Sequence, residues 1–565
     1  VDQTKSRRGG DLVKCLAPFV ALGGGLVLFI NPSPHLNLTS FPLDDAWTHQ
    51  VYAESLAKGS GFAYNPGTQE AGFTSPLWVI LSAPFHWLAP LGADAPIIGV
   101  KALGIILAAW VVWETVQLGR DWAGALGGAV AGVAMAFAPR LLFSALSGMG
   151  TLLAVGLWLA AVRGIRQRRW ILSGVALSLA PLARPEMTML WPLGGLAWFL
   201  SSDRPARAAL ASIGRAAVIA VPTMGWVLFC LYANGRPLPN TFYAKADPFV
   251  HGPLVTAGLA LSYLSQHGLM ATIAGWLAVG GFVGSTVSHH DRQRRWSAFL
   301  IAGGGLIYAL GMVASRDLHP SGYYWTRWVD PAALWVTAAA SAGLGACVAQ
   351  LGTSLRAGLK PISRIGPKTA WAALVLGALL VQSGPLLNSW LDRREHLTSD
   401  TEAISQLNVA VGLWLREHAN PKDAIAVNDA GAIRYFSQRK TLDLLGLNHG
   451  GIALGRVDRK VVAEDWGVRW LAIFPPWFAD SEGQALLGSF QPRIEFSVPR
   501  DQYTVCDCPT QTRIVVFERI DGPGDATGPG SAASRPLRPA VTSERIHTAR
   551  YAMDPKTGLT HPAAR

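Results

Sequence analysis

Apolar runs separated by short polar connections fill the chain from residue 11 to about 390, and then the pattern changes. Residues 11–30 form the first run. Later runs occupy about 97–118, 122–139, 145–162, 170–183, 187–201, 216–233, 268–287, 296–314, 328–350 and 370–388. Most approach the ~20 residues that a helix needs to cross a hydrocarbon core of ~30 Å. The pattern predicts a mainly α, polytopic membrane protein. The segment 76–92 is apolar but interrupted by Pro84, His86 and Pro90, so it is read as re-entrant. The two runs flanking Arg184 are short for a span, which predicts tilted helices or a second re-entrant hairpin. The resulting count is about eleven spans plus a re-entrant segment.

Beyond residue 390 the charge rises and short alternating stretches appear. Thr401–Ala419 carries Ile404, Leu407, Val411 and Leu415 at helical spacing. Ala424–Val427, Lys440–Leu444, Trp470–Phe474, Ile494–Val498 and Arg513–Glu518 read as strands, with Asp429-Ala430-Gly431 as a turn between the first two. A small extracytoplasmic α/β domain is expected over 391–520, following a membrane module over 1–390. Residues 521–565 are rich in Gly, Pro, Ala, Ser and Arg and are expected to be disordered.

Composition supports the membrane reading: hydrophobic residues make up 50% and charged residues 15%, against a usual charged share of about 25%. The 22 Trp residues suit membrane interfaces. A net charge of +12 would suggest nucleic acid in a soluble protein. Here Arg120, Arg163–Arg169, Arg204–Arg215, Arg292–Arg295 and Arg356–Lys368 all fall on one side once 76–92 is re-entrant, which is the positive-inside pattern. The expected arrangement is a multi-pass protein of the cytoplasmic (inner) membrane, with its N-terminus inside, its C-terminal domain outside, and no nucleic-acid partner. Lys5-Ser6-Arg7-Arg8 before the first run reads as the flank of an uncleaved helix. Cys15, Cys230 and Cys347 lie in apolar segments as core residues. Cys506 and Cys508 form a C-x-C with too few nearby ligands for a metal site.

The same topology collects polar motifs on the outer face. They are Asp44-Asp45, Ser147–Gly150, Arg184-Pro185-Glu186, Pro237–Lys245 and Arg316–Arg327, which suggests one outward-facing cavity. Lys101 falls near the outer end of its helix and either snorkels or joins that cavity. The most informative stretch is the polar insert Phe41–Trp78. It opens with the acidic pair, continues as a short helix with Trp47, Val51, Ser55 and Leu56 roughly on one side, and passes through Gly59-Ser60-Gly61 and Asn65-Pro66-Gly67 to Thr74-Ser75-Pro76-Leu77-Trp78.

An acidic pair outside the first span, a helix, then G-x-G-F-x-Y-N-P-G and T-S-P-L-W resembles the GT-C superfamily of integral-membrane glycosyltransferases. The nearest look is to its cell-wall arabinofuranosyltransferase branch. Leu182–Glu186, Leu238–Lys245 and Asn408–Gly446 carry the resemblance further, over roughly residues 10–450. It implies a polyprenyl-phosphate sugar as donor and a cell-envelope glycan, lipid or protein as acceptor. It also implies an acid at Asp44 or Asp45 as general base, of inverting type. One departure stands out. Relatives read S-G-M-E-T or S-G-L-E-T, whereas this chain has Ser147-Gly148-Met149-Gly150-Thr151.

Each candidate has a plain reading beside the chemical one. Asp44 or Asp45 can take a proton from an acceptor hydroxyl, or cap a helix. The pair can also bind a divalent cation such as Mg, Mn or Ca, which hard carboxylate oxygens suit. His49 lies one turn on and faces either the site or the headgroups. Arg184 and Glu186 are a structural pair or contacts to the carrier phosphate and sugar. Asn240, Tyr243 and Lys245 form an ordered loop that offers a cation, or a lysine that snorkels. Tyr324 and Arg327 belong to an aromatic belt or grip phosphate and sugar; the family's Arg-Tyr pair is here Arg327-Trp328. The rival functions are a non-catalytic membrane assembly factor on the same frame and a transporter of lipid-linked sugars. The second is disfavoured by the absence of internal repeats.

Overall fold

The computed structural model describes residues 2–30, 37–200, 205–245, 251–287, 292–316, 318, 322–357, 366–499, 504–505, 512–520, 551–553 and 560–562. Cys506, Cys508 and Arg204 lie outside the described residues. So does the tail expected to be disordered, apart from two short strands, Tyr551–Met553 and Thr560–Pro562, which pair antiparallel. The chain divides into two compact units. The first holds residues 1–36, 74–229 and 245–398, and the second holds residues 37–73, 230–244 and 399–565.

The first unit is helical. Ala95–Ala136, Arg295–Ala314 and Asp330–Arg356 are long and apolar enough to cross a membrane, and Pro367–Val381 with the helix from Ser383 adds a fourth if counted as one broken span. The other apolar segments form shorter helices, among them Lys14–Ile30, Trp170–Ala183, Pro253–Ser265 and Ile273–Gly284. Two helices, Asp2–Ile30 and Pro205–Asn234, are 29 and 30 residues long in full. Pro76–Ser82 is helical and continues as a 3₁₀ stretch over Ala83–Leu91.

The 42-residue segment Ala95–Ala136 is really two helices, because Ala123 and Gly124 leave helical backbone geometry and Gly124 has φ 68°. Its halves fold back on each other. A methyl at Gly119 would stand 2.7 Å from the Ala131 Cβ, and one at Gly128 would stand 2.8 Å from the Val116 oxygen. Only glycine permits such an approach, which is how membrane helices gain packing when no hydrophobic force drives them together. Asp330–Arg356 is enclosed along its first half, with buried residues from Asp330 through Gly345 on every face. At its start Arg140 pairs with Asp330 and also donates to the Tyr263 oxygen, while Arg393 lies 3.6 Å from Asp330. Glu114 accepts two bonds from Arg163, at 2.7 and 2.9 Å, and one from the Trp110 indole at 3.0 Å. Some of the basic residues that read as orientation signals are thus also partners of acids within this unit.

The second unit is built on a mixed five-stranded sheet: β1 (Ala424–Val427), β2 (Lys440–Asp443), β3 (Val468–Ile473), β4 (Phe490–Ser497) and β5 (Arg513–Arg519), in the order β2-β1-β3-β5-β4. The first three run parallel, whereas β5 is antiparallel to β3 and β4. The all-buried pattern of β1 reflects cover on both faces. All five expected strands are present. Between β1 and β2 the structure adds a helix, Ala432–Ser437, where sequence showed only a turn. Six residues are too few to display helical periodicity.

Residues 37–73 pack into this same unit. Trp47 is fully buried between Phe41, Tyr435 and Phe436, at ring separations of 5.0, 5.1 and 4.8 Å. Asn65 pairs with the free edge of β2 as a strand would. Its amide nitrogen donates to the Thr441 oxygen at 2.9 Å, and its Oδ1 accepts the Thr441 N–H at 2.9 Å. The Tyr64 hydroxyl donates to the Ala430 oxygen at 2.7 Å. The helix Asp44–Ala57 consequently buries Asp44 and residues 46–53, far more than the single face its pattern suggests.

Candidate functional site

Asp44 and Asp45 open their helix, but neither serves as its cap: the cap position is Leu43, with no side-chain bond. The Asp44 carboxylate instead reaches a different backbone turn. Its Oδ2 accepts the Gly431 N–H at 2.7 Å and its Oδ1 accepts the Ala432 N–H at 2.8 Å. A methyl at Gly431 would stand 2.1 Å from the Asp44 backbone oxygen, so the approach requires glycine. Asn408 bridges to a third acid, donating to Asp429 at 2.7 Å and weakly to Asp44 at 3.4 Å. Burial, and then the Asp429 carboxylate, hold the Asp44 carboxyl well above its usual range, against the lowering pull of the two N–H groups. Asp45 stays partly exposed. His49 is 4% exposed on the same helix.

Asp429 and Asn408 were not singled out as functional in the sequence. The only signal was their place in the stretch 408–446 that carries the family resemblance. Among the described residues no three or more His, Cys, Asp or Glu stand together to hold a metal ion. Both Asp44 oxygens already accept backbone N–H groups.

The cationic candidates of the first unit converge on one indole. Around the Trp328 ring stand the guanidiniums of Arg316 at 3.8 Å, Arg327 at 4.7 Å and Arg184 at 5.9 Å from its centre. Arg327 also lies 4.2 Å from the Tyr324 ring, and the Lys245 ammonium lies 5.6 Å from it. Arg316 donates to the Lys245 oxygen at 3.0 Å and sits 3.7 Å from the Glu186 carboxylate. Arg184 donates to the Thr151 hydroxyl at 3.4 Å. Its Nη1, like Nε of Arg316, is buried without a hydrogen-bond acceptor among the described residues. Four cations with Glu186 among them make a strong attraction for an anion, and the guanidinium forks fit phosphate oxygens in pairs.

The local cause lies in the sequence. Pro185 removes an N–H donor and stops Trp170–Ala183, so Arg184 leaves the helix with extended backbone, φ −155° and ψ 123°. Gly150 sits near this break. A methyl there would meet the Trp78 Cβ at 3.1 Å, so little space exists for the acid that relatives carry.

The remaining candidates are dispersed. Lys101 is 5% exposed inside Ala95–Ala136 and does not snorkel to an open surface. Asn240 and Tyr243 belong to the second unit. Asn240 is buried and its N–H donates to the Ala71 oxygen at 2.9 Å, while the Tyr243 ring lies 5.2 Å from the Arg236 guanidinium. Each unit is thus a separate cluster: the Asp44 network in the second and the Trp328 cations in the first.

Residues 397–516 match the model of a domain of unknown function, DUF8728. No curated protein matches the chain. Among solved structures the chain is similar to ArnT from Cupriavidus metallidurans in the apo state, at 16% identity and TM-score 0.55, covering 88% of this chain and 97% of that one. The same protein bound to undecaprenyl phosphate matches at 14% identity and TM-score 0.51, with the same coverage. The archaeal oligosaccharyltransferase AglB from Archaeoglobus fulgidus, in complex with an inhibitory peptide and a dolichol-phosphate, matches at 12% identity and TM-score 0.50, covering 91% of this chain and 75% of that one. The chain thus shares its fold with these solved structures.

Proposed function

We propose that this chain is a multi-pass enzyme of the cytoplasmic membrane that moves a monosaccharide from a polyprenyl-phosphate donor to a cell-envelope acceptor outside the cytoplasm. The observation that carries the reading is the convergence of Arg184, Arg316 and Arg327 on Trp328 beside Lys245. A lipid-linked phosphate needs such a site, and two of the structural neighbours hold an undecaprenyl or dolichol phosphate.

The two adjacent acids take different parts. Asp44 spends both oxygens on Gly431 and Ala432 and positions the start of its helix. Asp45, partly exposed one residue on, is the general base. The acceptor hydroxyl gives its proton to the Asp45 carboxylate while its oxygen attacks the anomeric carbon. The bond from that carbon to the phosphate oxygen breaks, and its electron pair leaves with the carrier phosphate. Guanidiniums such as those of Arg184, Arg316 and Arg327 suit the charge gained by a phosphate of this kind. A single displacement of this kind inverts the anomeric centre. No nucleotide is needed, because the leaving group stays tethered in the bilayer.

The test is incorporation of label from polyprenyl-phosphate sugars into envelope extract, by membranes carrying wild type, Asp45→Asn or Arg316→Gln. Transfer by wild type alone supports the reading. Equal transfer by Asp45→Asn overturns the role of Asp45, and no transfer by wild type from any lipid-linked sugar overturns the enzyme.

A further inference from the structure

A cavity lies wholly within the second unit. It has a volume of 480 Å³ and is walled by three stretches far apart in sequence, at 68–70, 233–240 and 448–456. That size falls within the ~300–1,000 Å³ of small-ligand sites. The walls are held by hydrogen bonds that leave little freedom. The Ala71 N–H donates to Asn234 Oδ1 at 3.1 Å, and Asn234 Nδ2 returns a bond to the Ala71 oxygen at 3.2 Å. The Thr241 hydroxyl donates to the Gly72 oxygen at 2.6 Å. The Tyr52 hydroxyl accepts the Gly72 N–H at 3.2 Å and donates to Asn448 Oδ1 at 2.6 Å. Asn448 in turn donates from N–H and Nδ2 to Asp443, at 2.9 and 3.0 Å.

Once these bonds are made, several polar groups are left over. The side-chain amide of Asn240, a residue 2% exposed, makes no hydrogen bond among the described residues. Glu70 Oε2 is buried without a partner among them. Arg236 and Arg456 line the cavity, and no ion pair to either is found among the described residues. His449 accepts the Ile452 N–H on Nδ1 at 3.3 Å, which fixes its neutral proton on Nε2 as a donor. Gly450 and Gly451 keep this wall low: a methyl at 450 would stand 3.2 Å from Asn240 Oδ1. Two cations, an amide, an imidazole and a carboxyl stand beside Ala233 and Leu454 and favour a polar ligand over a lipid tail. They suit a ring of hydroxyls that carries an acidic group.

We propose that this cavity binds an anionic sugar of the acceptor glycan, a saccharide residue with a carboxylate or phosphate substituent. Arg236 and Arg456 meet the charge, and Asn240, His449 and Glu70 meet the hydroxyls. The inference rests on the transferase reading and specifies its acceptor class.

Binding is measured by saturation-transfer NMR on the full chain in detergent. The probes are glucuronic acid, glucose 6-phosphate, glucose and inorganic phosphate. Expected are millimolar binding of at least one anionic sugar and about tenfold weaker binding of glucose, since guanidinium contacts to an anion are the strong ones. The relative binding of the two anionic sugars separates carboxylate from phosphate. Arg236→Gln with Arg456→Gln removes the preference for the anionic sugar and leaves glucose binding unchanged. Asn240→Ala weakens all the sugars. Thermal melts confirm folding of each variant, and loss of wild-type binding at high salt provides the check should the double variant fail to fold. Binding without regard to charge, binding of inorganic phosphate alone, or anionic-sugar binding that survives the double substitution overturns the proposal. Asp45→Asn should still bind, so a protein that binds these sugars yet transfers nothing condemns the transferase reading and not the cavity.

Discussion

Replacing Asp44 and Asp45 one at a time separates a positioning carboxylate from a reacting one. In Asp44→Asn the side chain keeps one oxygen but turns an NH₂ toward the other backbone donor. Of the bonds to Gly431 at 2.7 Å and Ala432 at 2.8 Å, one survives and the other becomes donor against donor. A hydrogen bond to a charged group contributes roughly 1.5–3 kcal/mol, and a buried N–H left unpaired costs about 1–3 kcal/mol. Relief from burying a carboxylate beside Asp429 works the other way, since those are the causes that raise its pKa. With that relief set against the lost bond, the unpaired N–H leaves about 1–3 kcal/mol, which corresponds to a roughly 5- to 150-fold rise in local opening. Hydrogen exchange of a peptide spanning 429–437, in the full-length protein, reads this directly. Asp44→Asn should lose protection there by about that factor, whereas Asp45→Asn should leave it unchanged yet abolish sugar transfer. Unaltered protection in Asp44→Asn would refute the anchoring role, whatever happens to activity.

Burial pushes the Glu70 carboxyl up from 4.5 to about 8. Its neutral form is therefore favoured by folding, so its contribution is complete below pH ~4.5 and is lost as pH rises through ~8; the melting temperature should fall over that window, and less so in Glu70→Gln. Gly72→Ala would place a methyl 2.0 Å from Asn448 Oδ1 and 2.6 Å from both the Leu447 oxygen and the Tyr52 hydroxyl. Overpacking of this kind costs about 1–3 kcal/mol or more, which should appear as a lowered melting temperature and loss of the cavity's sugar binding. Trp328→Leu removes the ring shared by three guanidiniums, at about 0.5–2 kcal/mol for each desolvated cation; donor KM should rise while the protein remains inserted in membranes, and an unchanged KM would separate the indole from phosphate binding.

Helices and strands were legible because their cause is local. The alternating stretches at 424–427 and 513–518 became β1 and β5, and the broken apolar pattern at 184–186 became a helix end. The sites were legible only in part. Arg184, Lys245 and Arg327 announce themselves as charges within apolar surroundings, and the structure brings them to one pair of rings. Asp429 gave no such signal, because an acid in a turn is ordinary; only the fold brings it near Asp44. The helix Ala432–Ser437 is too short to show a period, and its start is set by Gly431 and the distant Asp44 carboxylate. The strand-like use of Asn65 and the clamp of Asn234 on Ala71 depend on partners 376 and 163 residues away. No local pattern encodes such pairings.

The distance between Asp44 and Gly431 has a consequence for biogenesis. These partners are 387 residues apart in the chain, and at ~5–20 residues per second of synthesis the earlier one waits on the order of 20–80 s for the later. Through that interval Trp47, Tyr52 and Tyr64, which end almost wholly buried, lack the elements that enclose them. The nascent insert is a sticky, unfolded loop for most of the time the protein is being made. Its escape from aggregation and proteolysis depends on whatever shelters it until the last third of the chain arrives.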